Sequence, residues 1–388
     1  MKGIAWNHTR GYVPMVATSQ AFTERHEDVD FIWDRRSLWA FGEGSLADLA
    51  EQYDLIVLDH PWVPHGADER LLVPLDKDLP AEWISAQAAD SAGPSHASYL
   101  YRGRQWAAAI DAACEVAAFR PDLMEELGWA LPKTYEEVLE LAAVTGAVLA
   151  PFNNIDALSH FFTLCANQGE PPIQIGNDQV VSREMGKQVL EQLRRLLKAV
   201  GTQCLDLNPI AVLNRMARGA KYVYCPYTFG YSNYSREGYQ TSQLAFDNLP
   251  GVAGCGSRGA VLGGAGLAVS ARSQHKTQAL QYLQWVASAQ CQRTLYVSSG
   301  GQPGSRSAWE DPLANVLTGQ FFASTVDTLR QAFVRPIHRN LPPFQTEAGA
   351  LLREYLIGTA SEVDTLTALD HAWRRLRADP RQPPDLLP

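Results

Sequence analysis

The chain has 388 residues, of which 46% are apolar and 19% are charged, and its formal net charge is −9 at neutral pH. This length exceeds what one hydrophobic core usually serves, so we expect a globular chain with two lobes. The acidic balance and the lack of a concentrated basic patch argue against nucleic acid or an anionic membrane as a partner. A neutral or cationic small solute is compatible with this charge.

Strands and helices alternate in the first part of the chain. The apolar patterns predict a strand over Gly3–Trp6, a helix over Pro14–His26, a strand over Val29–Trp33, a helix over Ser45–Glu51 and a buried strand over Asp54–Asp59. This β-α-β-α-β order predicts a parallel, doubly wound sheet. In such sheets the loops at the carboxyl ends of the strands face the binding crevice.

Two loops at strand ends therefore supply candidate ligand contacts. They are Trp6, Asn7, His8 and Tyr12 after the first strand, and Asp59 and His60 after the third. An indole beside hydrogen-bonding groups suits a sugar-like or amphipathic solute. The alternative for the first loop is a solvated turn with His8 as a surface histidine. A metal site of Asp59, His60 and His65 is disfavoured, because prolines stiffen this turn and no third histidine is near in sequence.

The chain is predicted to pass between the lobes near Asp111. A strand over Trp106–Asp111 leaves the first lobe, and a strand over Glu115–Phe119 enters the second. Two-lobed receptors commonly grip ligands at the hinge, so Asp111 is a candidate ligand contact; the alternative is a carboxylate that caps a turn. Asn153, in a polar loop after a brief strand, is open to two readings as well, a ligand contact or ordinary turn chemistry.

A dense group of aromatic and polar residues follows the strand predicted at Tyr222–Cys225. It contains Tyr227, Tyr231 and Asn233. Because each buried phenol needs a polar partner, we interpret the group as the main aromatic wall of a ligand site, and an aromatic core under a loop is the alternative. The run Gly254–Gly259 matches GxGxxG, but no strand precedes it and no helix follows it, so we interpret the match as accidental.

The stretch 261–303 combines a buried strand, an amphipathic helix and a glycine-rich end. Its strand carries Gly263 and Gly264, where the backbone could approach a ligand closely. Its helix is predicted from the spacing of Ala279, Leu280, Leu283 and Val286. The following residues are expected to return to the second lobe, which closes with helices over Thr346–Leu356 and Glu362–Arg377.

Several absences narrow the function. The six cysteines are far apart without a CxxC pair, so we interpret them as buried thiols, and disulfides between distant positions are the alternative. No GxSxG, Walker, HExxH or EF-hand pattern occurs, and we expect no enzyme activity, cofactor or metal, although a triad assembled in space stays open. The first residues show no signal-peptide core, and no apolar run approaches the ~20 residues of a membrane helix. Either a leader was removed, or the protein stays in the cytoplasm.

Several segments together resemble a known family. They are the VLGGAGLAVSARS strand and its helix, YDLIVLDHPWVP, LLVPLD, PKTYEEVLELA, the aromatic run PYTFGYSNY and the basic Arg335-Pro336 segment. This set resembles the extracellular solute-binding proteins family 1, the sugar-type receptors of ABC transporters. The resemblance implies a type II periplasmic-binding-protein-like α/β fold, with two lobes of mainly parallel sheet joined by a hinge. Lobe 1 would be residues 1–110 and 255–305, and lobe 2 residues 111–254 and 306–388.

The resemblance also implies a function. A small polar solute, sugar-like or another small organic molecule, would be captured by closure of the lobes and presented to the membrane subunits of an ABC transporter in the periplasm. We expect a monomer. The alternatives are a cytoplasmic solute receptor on the same fold and an enzyme with an unrecognised site.

Overall fold

A computed structural model describes residues 1–43, 45–174 and 177–378. The chain forms two compact units. Unit 1 consists of Met1–Cys114, Gly230–Tyr239 and Leu262–Ile337, and unit 2 consists of Glu115–Phe229, Gln240–Val261 and the chain from His338 on. The end of the range predicted for lobe 2, residues 379–388, lies outside the described residues.

The strands belong mainly to unit 1. They are β1 Lys2–Trp6, β2 Ile32–Arg36, β3 Leu55–Leu58, β4 Leu100–Tyr101, β5 Arg104–Gln105, β6 Ala108–Phe119, β7 Tyr224–Phe229, β8 Ala245–Asp247 and β9 Leu262–Val269. In unit 1 the strand order is β2-β1-β3-β9-β6, and β4 pairs with β5. In unit 2 the second half of β6 pairs with β7 and β8.

Strand direction differs in part from the prediction of mainly parallel sheets. The pairs of β1 with β2 and β3 are parallel, as predicted. The pairs of β9 with β3 and β6, and those of β6 with β7 and β8, are antiparallel. The reason is the path of the chain: β6 runs out of unit 1, whereas β9 follows the return from unit 2, so these neighbours have opposite directions.

Helices fill the remaining chain. They are α1 Tyr12–Thr23, α2 Leu38–Glu43, α3 Leu46–Gln52, α4 Val63–Asp68, α5 Leu75–Asp78, α6 Ala81–Ala89, α7 Pro121–Leu127, α8 Tyr135–Thr145, α9 Asn154–Asn167, α10 Arg183–Val200, α11 Pro209–Arg218, α12 Lys276–Val286, α13 Ala289–Cys291, α14 Arg306–Trp309, α15 Pro312–Leu317, α16 Phe321–Arg330, α17 Leu341–Leu356 and α18 Glu362–Arg377. The spacing of Thr134 and Glu137 in the sequence predicts a capping box, and these two residues form one at the start of α8. Among the described residues, no helix is long and apolar enough to cross a membrane.

The cores agree with the apolar patterns that predicted these elements. In unit 1 every residue of β3 is buried, and the predicted apolar positions of α12 are buried too. Tyr282 of α12 joins that core and shares a hydrogen bond of 2.8 Å with the Thr18 hydroxyl. All six cysteines are free thiols, and all but Cys255 are buried.

Three segments predicted for lobe 2 lie in unit 1 instead, namely Gly230–Tyr239, the chain from Arg306 to Ile337 and residues 111–114, whereas residues 255–261, predicted for lobe 1, lie in unit 2. The second is bound to the rest of unit 1 by polar contacts: the Ser307 N–H donates to Asp90 Oδ1 (2.9 Å), and Arg335 bonds the carboxylate of Asp59. The Trp309 indole donates to the Pro303 carbonyl (2.7 Å), and its ring lies 4.9 Å from that of Phe322. The return after Pro303 that we predicted therefore occurs only after Ile337.

Candidate functional site

The residues predicted around the end of β1 divide between core and surface. Trp6 is buried, with its ring 5.1 Å from that of Phe41. Tyr12 is half-buried, and its hydroxyl donates to the Trp33 carbonyl at 3.4 Å. Asn7 is exposed, and His8 is half-buried. The polar end of this loop, rather than its indole, is therefore open to a solute.

His8 is held as a neutral hydrogen-bond donor. Its Nδ1 accepts the backbone N–H of Arg10 (3.0 Å), and its ring lies 4.8 Å from that of Tyr231. Burial, together with the charge of Arg10, lowers the pKa of His8 to about 3. Because Nδ1 accepts, the single proton of the neutral ring is assigned to Nε2, which lies 3.5 Å from the Tyr239 hydroxyl.

Asp111 forms a buried ion pair with Arg10, a residue that the sequence did not single out. Arg10 Nε donates to Asp111 Oδ2 (2.8 Å), and a terminal nitrogen of Arg10 donates to Oδ1. The Asp111 side chain is placed by a bulge in β6, where Ile110 is the extra residue between the partners of Gly266 and Ala265. Burial lowers the pKa of Arg10, but the charge and hydrogen bonds of Asp111 outweigh this and raise it.

Gly263 and Gly264 lie in β9 opposite this part of β6. Gly264 has a φ of +117°, and a Cβ there would lie 2.4 Å from the Asp111 carbonyl oxygen. The pair was predicted to admit a ligand to the backbone. In the structure, the space left by the absent side chain of Gly264 is taken by the β6 backbone at Asp111 and not by a ligand.

The segment Gly230–Tyr239, called the aromatic segment below, follows β7 and is fixed to the rest of unit 1 by polar contacts. They are the Arg10 guanidinium to the Gly230 carbonyl (2.7 Å), Ser232 N–H to Gln302 Oε1 (3.0 Å), Asn233 Nδ2 to the Gly300 carbonyl (3.1 Å), the Arg236 guanidinium to the Val297 carbonyl (2.6 Å), and the Tyr239 hydroxyl with the Thr9 hydroxyl (2.8 Å). The segment is therefore a fixed wall of unit 1.

The predicted aromatic wall is divided between the two units. Tyr231 and Asn233 belong to the aromatic segment. Tyr227 belongs to unit 2, where its ring is fully buried and its hydroxyl donates to the Pro250 carbonyl at 2.9 Å. The alternative reading, an aromatic core under a loop, describes Tyr227. Tyr231 has the arrangement expected of a wall, with one face toward the Arg10 guanidinium at 4.8 Å and an edge contact with His8.

Three buried oxygen atoms near the aromatic segment have no hydrogen-bond partner among the described residues. They are Ser232 Oγ, Asn233 Oδ1 and the Tyr296 hydroxyl. Burial raises the pKa of Tyr296 well above its ordinary value, and the charges of Asp111 and Arg10 both act on it. Buried polar atoms nearly always have a partner in folded proteins, and a polar solute or bound water would satisfy these.

Asp59 and His60 follow β3 and form a second buried cluster with Arg335. One terminal nitrogen of Arg335 lies 2.9 and 2.7 Å from the two Asp59 carboxylate oxygens, and the His60 backbone N–H donates to Asp59 at 2.8 Å. Burial alone would raise the pKa of Asp59, but Arg335 and the hydrogen bonds hold it well below its ordinary value. Burial also lowers the pKa of His60.

The pKa of the buried Tyr99 phenol depends on both the Arg10–Asp111 and the Arg335–Asp59 ion pairs. Burial raises its pKa well above the ordinary value, and the carboxylates of Asp59 and Asp111 raise it further. The metal alternative gains no support: His65 lies 3.3 Å from Glu69, and across the described chain no three His, Cys, Asp or Glu side chains are grouped to hold an ion.

Asn153 lies in unit 2, where it begins α9. Its Oδ1 accepts the Asp156 backbone N–H at 3.0 Å, so it is an N-cap. This role agrees with the alternative interpretation of Asn153, in which its side chain serves a turn and does not contact a ligand.

Unit 2 has its own buried charged network, which sequence reasoning missed. His160 Nε2 lies 2.6 Å from the Pro151 carbonyl, and Nδ1 lies 2.7 Å from Glu115 Oε1. The Thr163 hydroxyl accepts the Val261 N–H (3.0 Å) and donates to the other Glu115 oxygen. A carbonyl and a carboxylate are both acceptors, so His160 is an imidazolium; burial lowers its pKa, but Glu115 outweighs this and raises it.

Sequence reasoning found one partner of each main contact and missed the other. Arg10, Gln302 and Arg335 are the missed partners of Asp111, the aromatic segment and Asp59. Arg10 and Asp111 are 101 positions apart. Arg10 lies in the predicted polar loop, and Gln302 lies in the glycine-rich end of the stretch 261–303. Their positions in segments already predicted to contact a ligand are the signal by which the sequence could have identified them.

Solved structures of solute-binding proteins are similar to this chain. Maltose-bound MalE3 of T. maritima has a TM-score of 0.81 at 16% identity, covering 97% of this chain and 98% of that chain. The ABC transporter solute-binding protein of Agrobacterium radiobacter K84 in complex with ribitol has a TM-score of 0.79 at 17% identity, covering 97% of this chain and 98% of that chain. The ABC transporter solute-binding protein of Agrobacterium vitis S4 with bound D-mannitol has a TM-score of 0.77 at 18% identity, also covering 97% of this chain and 98% of that chain. These likenesses confirm the predicted α/β fold of the two-lobed periplasmic binding proteins.

A comparison with curated proteins gives no match. The sequence model of a family described as "Bacterial extracellular solute-binding protein" matches residues 17–315, which is well over half of the chain. The predicted family resemblance is thereby confirmed. The chain belongs to the bacterial extracellular solute-binding proteins, and its function is to bind a solute.

Proposed function

We propose that this protein captures a small, uncharged, polyhydroxylated solute, such as a sugar or a sugar alcohol, and delivers it to the membrane subunits of an ABC transporter. The observation that carries the proposal is the charge balance of the candidate site in unit 1. Arg10 pairs with Asp111, and Arg335 pairs with Asp59. With His8 neutral, each of these charges already has an internal counter-charge, so neither ion pair offers an unbalanced charge to a solute.

The groups that remain suit hydroxyl groups and an apolar sugar face. His8 Nε2–H is a donor, Asn233 Oδ1 is an acceptor without a partner among the described residues, and Tyr231 offers a ring. Hydrogen-bonding groups beside an aromatic ring are the usual equipment of small-molecule sites. We propose His8, Asn233 and Tyr231 as direct contacts. Asn7, Asp59 and His60 stay predictions as contacts, and so do the buried Trp6, the half-buried Tyr12, the ion-paired Asp111 and Gly263. We do not propose Asn153, Tyr227 and Gly264 as contacts, because they serve as a helix cap, as a core residue of unit 2 and as the close approach to β6.

The test is a binding panel measured by calorimetry. Maltose, D-mannitol and ribitol represent uncharged solutes, and a sugar phosphate and an amino acid represent charged ones. We expect binding only among the uncharged compounds. Tight binding of a charged compound, with no uncharged one bound, would contradict the proposal. Mass spectrometry of small molecules released from the freshly purified protein extends the panel to solutes outside it.

The Tyr231→Ala variant tests the site itself. Loss of one aromatic contact is expected to weaken the binding of an uncharged solute about ten-fold. Tyr101→Ala is the control, since Tyr101 is a tyrosine of unit 1 outside the aromatic segment, and its hydroxyl bonds Asp68 at 3.3 Å. Equal affinities of the two variants would contradict the placement of the site.

We also infer that binding rather than catalysis is the function, that the protein acts as a monomer, and that it acts in the periplasm. The family consists of binding proteins and is extracellular by its description. Recovery of the bound solute unchanged after long incubation, monitored by NMR, tests the first inference, and a product signal would contradict it. Light scattering tests the second. Fractionation of the native host tests the third, since a purely cytoplasmic protein would favour an intracellular receptor.

A further inference from the structure

We propose that Arg10 is the positioning residue of the solute site, which fixes Tyr231 and His8 without touching the solute itself. This inference rests on the proposed function, in which Tyr231 and His8 contact the solute. All three nitrogen atoms of the Arg10 guanidinium already donate to Asp111 or to the Gly230 carbonyl, so the group is directed at the protein and not at a bound molecule. Its effect on binding must therefore pass through its neighbours.

Three separate segments of unit 1 meet at the Arg10 guanidinium. Arg10 itself follows β1, Asp111 is in β6, and Gly230 begins the aromatic segment. The Nε and one terminal nitrogen donate to Asp111, and the other terminal nitrogen donates to the Gly230 carbonyl at 2.7 Å. All three nitrogen atoms are thus engaged in fixed directions.

This arrangement sets both the backbone and the ring of Tyr231. The Gly230 carbonyl immediately precedes Tyr231, so its bond to Arg10 fixes where the aromatic segment starts. The guanidinium carbon lies 4.8 Å from the centroid of the Tyr231 ring, which is within cation–π range. One face of the ring is therefore held by Arg10.

Arg10 also controls the hydrogen-bonding character of His8. Its backbone N–H occupies His8 Nδ1, which leaves the proton on Nε2. Its positive charge adds to burial in lowering the pKa of His8. The same residue thus keeps His8 a neutral donor and holds the aromatic face beside it.

Lysine could not replace arginine in this role. A lysine ammonium is a single point, whereas the planar guanidinium reaches a carboxylate, a carbonyl and a ring at once. The Arg10→Lys variant therefore keeps the charge and removes the geometry. Arg120 of unit 2 provides a matched control: it is 5% exposed, bonds both oxygens of Asp122 and donates to the Met216 carbonyl at 3.0 Å.

The first experiment needs no solute. The protein is labelled with 3-fluorotyrosine, and the ¹⁹F line of Tyr231 is identified as the line missing from Tyr231→Phe. In Arg10→Lys this line should move toward the shift of free fluorotyrosine and broaden, whereas in Arg120→Lys it should stay in place. An unmoved Tyr231 line in folded Arg10→Lys would overturn the proposal.

A second measurement covers the case in which Arg10→Lys does not fold. In the wild-type protein labelled with ¹⁵N-arginine, the Nε–H proton of Arg10 should be shifted by the ring current of Tyr231 and protected from solvent exchange. Tyr231→Leu should remove the shift and leave the bond to Asp111 protected. A Nε–H that shows no ring-current shift would overturn the proposal without any variant of Arg10.

A double-mutant cycle then connects the geometry to binding, with maltose and D-mannitol as probes. Arg10→Lys should weaken binding roughly ten-fold in the wild-type background and have no further effect in Tyr231→Leu. Fully additive losses would overturn the proposal. If the wild-type protein binds neither these nor any other uncharged solute, the proposed function fails, while the ¹⁹F result still decides whether Arg10 positions Tyr231.

Discussion

The proton state of His8 is the residue-scale feature on which the donor character of the site depends. Its neutral form follows from burial and the charge of Arg10. Histidine normally changes charge close to neutral pH. In this protein that change is displaced to strongly acidic pH, so solute binding should not respond to His8 titration between pH 5 and 8.

Removing this titratable group should alter acid stability in a defined direction. Because the folded-state pKa of His8, about 3, lies below the ordinary value of 6.5, the unfolded chain binds the proton more readily. The contribution of neutral His8 is complete above pH 6.5 and is lost as the pH falls toward 3. Urea unfolding of wild type and His8→Gln is measured from pH 8 to 4. The free energy of unfolding should decrease less in the variant than in wild type as the pH falls. A parallel pair of pH profiles would contradict the assignment.

At the scale of elements, the approach of β9 to β6 decides where Asp111 lies. Gly264→Ala places a methyl group 2.4 Å from the Asp111 carbonyl at a φ of +117°, and we expect a loss of roughly 2–4 kcal/mol in the free energy of unfolding. Gly103→Ala is the control, because Gly103 also has a positive φ, +70°, but nothing lies within 4 Å of its added Cβ. That variant should lose only about 1 kcal/mol in chemical denaturation. Equal losses would show that backbone conformation alone matters.

The start of α9 tests whether Asn153 is a cap or a contact. Asn153→Ala should lower the free energy of unfolding by about 1 kcal/mol, whereas Asn153→Asp, which retains a capping oxygen, should not. Solute affinity measured by calorimetry should be the same in both variants. A drop in affinity in stable Asn153→Asp would restore Asn153 as a ligand contact.

At the scale of the whole molecule, the buried network of unit 2 predicts how stability changes with pH. Burial, with a contribution from Glu115, raises the pKa of Asp156 to about 8, and the pKa of His160 is raised mainly by Glu115 against the effect of burial. For both groups the folded-state pKa exceeds the unfolded one. The stability that they contribute is present at low pH and is lost as the pH rises, for Asp156 between about 4 and 8.

Asp156→Asn tests this statement, since asparagine has the same shape and does not titrate. The free energy of unfolding of the wild-type protein should decrease between pH 5 and 9, and that of the variant should decrease less steeply. His160→Gln should show a shallower decline above neutral pH for the same reason. If the free energy of unfolding of Asp156→Asn decreases with pH as steeply as that of wild type, the Asp156 carboxyl group is not the source of the pH dependence.

The sequence alone determined the features whose physical cause is local. The capping box of Thr134 and Glu137, the buried strand β3 and the apolar stripe of α12 were predicted, because caps and periodicity act over a few residues. The family resemblance was carried by short segments of the same kind. Boundaries moved where neighbours decided them: the two strands predicted around Asp111 form the single strand β6, which pairs on both sides of the crossing.

The tertiary structure alone decided which polar groups meet. No local pattern relates Arg10 to Asp111, or Asp59 to the distant Arg335, because such pairs exist only after strands from different parts of the chain are paired. Membership of the aromatic segment in unit 1 was likewise hidden, since its aromatic content is equally compatible with either unit. Its place was fixed by contacts with Arg10 and Gln302, and long-range hydrogen bonds of this kind leave no periodic trace in a sequence.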